Sequence, residues 1–432
     1  MGDGDGGAVG AVRLLAADRE FAALAGTAFA RAQAYSTVLI ALALYADLFG
    51  TTGTVEGLFG TAFAAVQLLV VVPLGRRVDA GDAKRYLLAG LLVNVAVFCG
   101  FVLVENAVHV ILVRMVQGVG SSLVWVTGSA VVGDISPEDG SGRWLGAYNQ
   151  VGAFSSLAGD LLGGYLLYAH GFGPAFAALT LVTLGATVLV FLVLRSDPGG
   201  GAARGGADEG AIWTLLENPT VRALVVFRTG FSAGKMIVII FLPILAATEF
   251  GITAFAIGWI LAGGKLTKSL LQGWLGAVSD RVAHPYRLVA GGAVLYGVAA
   301  AAVPLARLAE GAVTPVEVSL FGDTQALGGA FVALWLAYAL AGVGDSVRLP
   351  ASMSLFVEEG ERLGATASAM SLRSVSWKVG QVAGPFLAGV VTEFVSTDAA
   401  FLVAAAMIFG STVVYVVTHV RLRGSGQPAA AD

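Results

Sequence analysis

Apolar residues in this chain fall into long runs separated by short charged turns, and the runs have the length of membrane-crossing helices. One set covers residues 21–49, 55–74, 86–104, 109–132, 144–168 and 174–194; a second covers 221–247, 254–278, 288–308, 330–356, 365–391 and 399–420. A helix needs about 20 apolar residues to cross the hydrocarbon core of a bilayer, so the pattern predicts six plus six transmembrane helices. Between the sets, residues 196–210 read SDPGGGAARGGADEG, too polar to enter lipid and too rich in Gly and Pro to build a core. The predicted organisation is an N-terminal six-helix bundle over 1–195, a cytoplasmic linker over 196–219 with a short surface helix at 211–219, a C-terminal bundle over 220–423, and a cytoplasmic tail over 424–432. The first apolar run far exceeds a signal-peptide core and reads as a retained helix.

A long-period repeat runs through the two sets. Gly75 and Asp79 follow the second run as Gly276 and Asp280 follow the eighth, at a shared offset of 201 residues that also places Phe49-Gly50 on Phe250-Gly251. The chain reads as a duplicated six-helix unit. With the N-terminus inside, most of the 25 basic residues fall in inner tails and loops, while the opposite loops carry acids such as Glu105, Glu249, Glu310 and Asp398. The positive-inside rule then puts both termini in the cytoplasm of a plasma-membrane protein and favours an even helix count.

Composition agrees with lipid as the solvent. Of 432 residues 57% are hydrophobic and 12% charged, which places the chain in the all-α membrane class. The small net charge of −4 and the lack of a basic run argue against nucleic-acid binding. Cys99 is the single cysteine and the four histidines have no ligand-spaced partner, so neither a disulfide nor a metal site is expected, and no cofactor is implied. Gly344-Asp345-Ser346 superficially suggests a hydrolase serine, yet no histidine is predicted at mid-depth to activate it, and an enzyme is not expected.

Several motifs carry a family resemblance. Gly276-Ala-Val-Ser-Asp280-Arg281 with Arg287 beyond it, and its partner Gly75-Arg76-Arg77-Val78-Asp79 with Lys84-Arg85, look like the G-x-x-x-D-R-x-G-R-R loops of the major facilitator superfamily. Arg114-Met-Val-Gln117-Gly118-Val-Gly120 is similar to its R-x-x-Q-G-x-G pattern in the fourth helix. Gly159-Asp160-Leu-Leu-Gly163-Gly164 and Gly380-Gln-Val-Ala-Gly384-Pro385 resemble its G-x-x-x-G-P-x-x-G-G pattern, with Asp160 standing where the family has Pro. The chain most resembles the twelve-helix drug:proton antiporters. That resemblance implies a monomeric carrier working by alternating access, with Gly75, Asp79, Gly276, Asp280 and Arg281 in conformational gating and Gly118, Gly159, Gly163, Gly384 and Pro385 in helix packing. It also implies proton coupling, for which Arg114, Asp160 and Asp345 are the candidates.

Intramembrane charge is the feature most informative about substrate. Arg31, Arg228, Lys235, Lys265, Lys268, Arg348, Arg373 and Lys378 lie within predicted helices, against few acids. Spacing puts Arg228 and Lys235 on one helix face, Lys265 and Lys268 on another, and lets Asp345 pair with Arg348. A positive excess in lipid must line water, meet an anion, or snorkel to the surface. No Walker A sequence is present, so the energy source is an ion gradient. Two functional expectations follow: proton-coupled efflux of the multidrug type, and uptake or exchange of an organic anion or other small metabolite through a cationic cavity.

Overall fold

The computed structural model describes residues 8–137, 141–196, 209–279, 285–320 and 323–424. After a short helix α1 (Ala8–Ala17) come six long helices: α2 (Arg19–Phe49), α3 (Gly53–Ala80), α4 (Ala83–Val102), α5 (Ala107–Ile135), α6 (Ser141–His170) and α7 (Phe172–Val193). Helix α8 (Glu209–Glu217) leads into α9 (Pro219–Thr248), α10 (Ala254–Ser279), α11 (Pro285–Ala302), the short α12 (Ala306–Glu310), α13 (Gly329–Arg362), α14 (Thr366–Phe394) and α15 (Thr397–Gly424). Twelve of these helices are long, and among the described residues nine stretches are apolar enough to cross a membrane. The three long helices outside that set are α6, α10 and α14, which bear Asp160, Lys265 with Lys268, and Arg373 with Lys378.

Local chemistry sets the boundaries. Asp18 accepts a hydrogen bond from the Phe21 backbone N–H at 2.7 Å and so starts α2; Asn106 and Asn218 cap α5 and α9 in the same way, with Pro219 opening α9. Helix α2 ends at Gly50, whose φ of 55° lies in the left-handed region that glycine adopts without steric cost. The Lys84 Nζ donates to the carbonyl oxygens of Phe191, at 2.9 Å, and Leu194, placing a cation at the C-terminus of α7.

Two elements depart from the expected pattern. Residues 8–17 form a helix rather than a tail. The stretch after α12 contains an antiparallel hairpin of β1 (Val316–Leu320) and β2 (Asp323–Leu327), registered from Val316 opposite Leu327 to Leu320 opposite Asp323. The alternating Val-Glu-Val-Ser-Leu pattern is a period-two signal, which a search for 20-residue apolar runs passes over.

Contacts divide the chain into two units: residues Met1–Gly50, Ala62–Ala203 and Thr253–Gly258 in the first, and Thr51–Thr61, Arg204–Ile252 and Trp259–Asp432 in the second. In the first, Phe21, Leu24, Leu87, Leu91, Val124, Val131, Tyr148 and Val190 form an apolar core. At one end of that unit the Tyr45 ring stacks on Phe172 at 4.2 Å and Phe101 on Phe176 at 5.0 Å, all nearly parallel, and the Tyr45 hydroxyl donates to the Phe101 carbonyl at 2.6 Å. In the second unit α9 packs mainly on α14 and α15 and is enclosed nearly all round, with Phe227, Phe231, Ile237, Phe241 and Leu245 all buried. Arg307 there bridges Glu249 and Asp398, tying the ends of α9, α12 and α15.

Because lipid tails are as apolar as leucine, helices associate in a membrane by close contact rather than by water exclusion. Small residues supply that contact here. A Cβ built on Gly159 would stand 2.5 Å from the Gln33 carbonyl oxygen, and one on Gly163 would collide with Thr37, so α6 lies directly against the α2 backbone. Gly118 holds α5 against α3 near Phe63, and Gly384 holds α14 against α9 at Ala233, one residue before Pro385. Gly163→Val is expected to lower stability by about 1–3 kcal/mol through overpacking, read as a lower melting temperature in detergent. Gly185→Ala, where nothing lies within 4 Å of the new methyl group, is expected to be neutral or to stabilise by about 0.5–1 kcal/mol.

Candidate functional site

A buried ion cluster lies in the second unit, built by four helices. Helix α9 presents Arg228 and Lys235 two turns apart, α10 presents Lys268, α13 presents Asp345 with Arg348 one turn later, and α14 presents Arg373. At its centre the Asp345 carboxylate, 2% exposed, accepts from Lys235 Nζ through Oδ2 at 2.7 Å and from Arg348 Nη2 through Oδ1 at 2.8 Å, and its Oδ2 forms an ion pair with Lys268 Nζ at 2.7 Å. Arg348 is itself 1% exposed. Moving one charge out of water costs several kcal/mol, and three ion pairs on one carboxylate offset that cost for some of these groups only.

The surplus is positive. Arg228 Nε donates to the Arg373 backbone carbonyl at 2.8 Å, and the Arg228 and Arg373 charges both act on Arg348, so two further guanidiniums adjoin the cluster. Buried nitrogens of three arginines, Arg228 Nη1, Arg348 Nε and Nη1, and Arg373 Nε, have no acceptor in reach. Five cationic side chains thus surround a carboxylate that neutralises one of them. Aromatic faces take up part of the remaining charge: Phe231 lies 3.8 Å from the Arg348 guanidinium, Trp377 lies 5.0 Å from that of Arg228 and 5.7 Å from Lys235, and Tyr296 lies 5.7 Å from Lys235. These rings belong to the cluster's lining, and the charge count passed over them. Their signal was in the sequence, since Phe231 precedes Lys235 by four and Trp377 follows Arg373 by four, the spacing that shares a helix face.

The other candidates are distributed as follows. Lys265 is half-buried one turn before Lys268 on α10. Lys378 Nζ donates to Gln381 at 3.2 Å on its own helix. In the first unit Arg114 is fully buried on α5, its Nη1 donating to Gln117 Oε1 at 2.5 Å and its guanidinium 4.2 Å from the Phe63 ring. Asp160 on α6 is also fully buried. Arg31 on α2 stands over Trp125 at 4.5 Å. Of the gating candidates, Gly75 lies in α3 and Gly276 in α10. The Asp79 side chain, and the whole of Asp280 and Arg281, lie outside the described residues. Among the described residues no group of His, Cys, Asp and Glu has the arrangement of a metal site.

Comparison with known proteins adds the family. The chain is 24% identical to multidrug resistance protein MdtG of Dickeya zeae over 387 residues, covering 87% of this chain and 88% of that protein. It is 22% identical to an uncharacterized MFS-type transporter of Methanocaldococcus jannaschii, covering 56% and 64%. It is 31% identical to probable vesicular acetylcholine transporter-A of Danio rerio over 32% of this chain and 27% of that one. The match spans less than two thirds of the last two relatives. Among solved structures it is similar to a bacterial homolog of the human lysosomal transporter Spinster in an inward-facing, unoccupied conformation (TM-score 0.70, 14% identity, 92% and 94% covered). It is also similar to the human organic anion transporter MFSD10 (TM-score 0.60, 15% identity, 92% and 99% covered). Residues 24–234 and 224–431 each match the family model described as Major Facilitator Superfamily, and with both six-helix sets covered the chain belongs to that superfamily.

Proposed function

We propose that this chain is a secondary active transporter whose substrate is a small organic anion. The observation that carries this reading is the charge balance around Asp345: five buried or half-buried cations, one carboxylate, and four guanidinium nitrogens without an acceptor. A carboxylate, sulfonate or phosphate would complete those hydrogen bonds, and paired N–H donors of arginine match the geometry of such groups. The solved structure named as a human organic anion transporter shares the fold, which makes the reading compatible with the architecture. In the same reading the chain is a monomer in the plasma membrane with both termini in the cytoplasm, supported by the excess of Lys and Arg in the inner loops.

A second reading has its own support. The relative aligned over 87% of this chain is a multidrug resistance protein, and the motifs at Arg114 and at Gly159–Gly163 resemble patterns associated with the superfamily's antiporters, Asp160 excepted. Under proton-coupled efflux, Arg114, Asp160 and Asp345 are the coupling groups and a lipophilic drug is the cargo. Gating at Gly75, Asp79, Gly276, Asp280 and Arg281 is common to both readings.

Proteoliposomes separate them. With anion transport, counterflow of a labelled organic anion is expected, and Lys235→Gln, Lys268→Gln or Arg348→Gln lowers the rate by about tenfold or more, as expected when a charge-assisted contact worth roughly 1.5–3 kcal/mol is lost. Proton release on addition of a cationic drug, with no anion flux and no effect of Lys235→Gln, would overturn the reading in favour of drug efflux. The cluster also has a stability signature. Asp345→Asn leaves its partners without a counter-charge and is expected to cost about 3 kcal/mol, whereas Asp345→Asn with Arg348→Met recovers part of that loss, both read by thermal unfolding in detergent.

A further inference from the structure

The first unit holds a cavity of roughly 250 Å³ that the ion cluster does not account for. It is lined by Arg31, Tyr35, Trp125, Asn149, Gly152 and Ser156, from helices α2, α5 and α6. The Arg31 guanidinium lies against the Trp125 ring, 4.5 Å from its centre, and Arg31 Nε is buried without an acceptor. Glycine at 152 leaves space beside that guanidinium, since a Cβ built there would stand 4.0 Å from Arg31 Nη2 and 3.9 Å from Ala32. The Ser156 hydroxyl is already bonded to Ser36 at 2.7 Å, which leaves Arg31 as the group in this wall with the strongest unmet demand.

Three properties of this cavity define what fits it. A guanidinium with a bare N–H selects a carboxylate over a neutral group. Trp125 is 43% exposed, so beyond its contact with that cation the indole keeps flat π surface, and a planar ring is favoured over a flexible chain. The volume lies below the range of roughly 300–1,000 Å³ typical of drug-sized pockets and takes one or two fused rings. We propose that the N-terminal unit binds a planar aromatic carboxylate, with its carboxylate on Arg31 and its ring against Trp125. The proposal rests on the anion-carrier reading and narrows its substrate to this class.

The test is equilibrium binding to the full-length protein in nanodiscs at neutral pH, with 1-naphthoate as probe and hexanoate and naphthalene-1-carboxamide as comparators. Naphthoate is expected to bind at least about tenfold more tightly than either comparator. Arg31→Gln is expected to remove most of that affinity. Gly152→Leu fills the cavity while keeping Arg31, and is expected to do the same. Trp125→Leu is expected to bring naphthoate down to the level of hexanoate. Gly152→Ala meets its neighbours at ordinary contact distance, and is expected to keep both fold and binding, so that loss in the leucine variant reads as occlusion. Naphthoate binding no tighter than hexanoate, or unchanged in Arg31→Gln and Gly152→Leu, would overturn the proposal. Anion counterflow that is lost in Lys235→Gln but shows no aromatic preference sinks the pocket and leaves the carrier standing. Absence of counterflow for every anion sinks the carrier reading, and the gradient-free binding measurement still decides the pocket by the same outcomes.

Discussion

Holding charge away from water is the constraint on which the second unit is built. A single carboxylate at Asp345 collects three cations from three different helices, so α9, α10 and α13 are fixed to one point by groups that lipid would otherwise reject. The arginines beyond that point lean on aromatic faces and a backbone carbonyl, interactions weaker than an ion pair. Such a cluster is internally consistent but electrostatically incomplete, unlike a salt bridge in which each charge meets its opposite.

Close packing makes the arrangement affordable in a second sense. Glycines at 159, 163 and 384 let backbones touch where lipid gives no hydrophobic drive for association. Gly344 shows the two requirements meeting: it lies against Gly292 on α11 immediately before Asp345, so the carboxylate is delivered from a helix seated tightly on its neighbour. Packing and charge are therefore read from adjacent residues of the same helix.

Much of this was legible from sequence. Helix number, most boundaries and the spacing of Arg228 with Lys235 and Asp345 with Arg348 follow from periodicity, because membrane helices are predominantly apolar and any charge within one stands out. What periodicity does not carry is which faces meet. Lys235 and Lys268 are 33 positions apart and converge on Asp345 only through helix packing. Lys265, three residues from Lys268, carried the same sequence signal and takes no part in those three ion pairs. The hairpin after α12 was missed because its signal is short and of period two, and the aromatic partners because a charge census does not look at uncharged neighbours.

The ring stack in the first unit has a mechanical consequence. Tyr45, Phe101, Phe172 and Phe176 lie nearly parallel and join α2, α4 and α7 at one end, with the Tyr45 hydroxyl fastened to the α4 backbone. Sliding any of the three helices there would unstack several rings together, and at the far ends Lys84 of α4 holds the last carbonyls of α7 while Glu20 of α2 takes Arg195 just beyond α7. The three helices are therefore held at both ends by different chemistry, aromatic faces at one and charge at the other, which opposes their sliding past one another along the whole length.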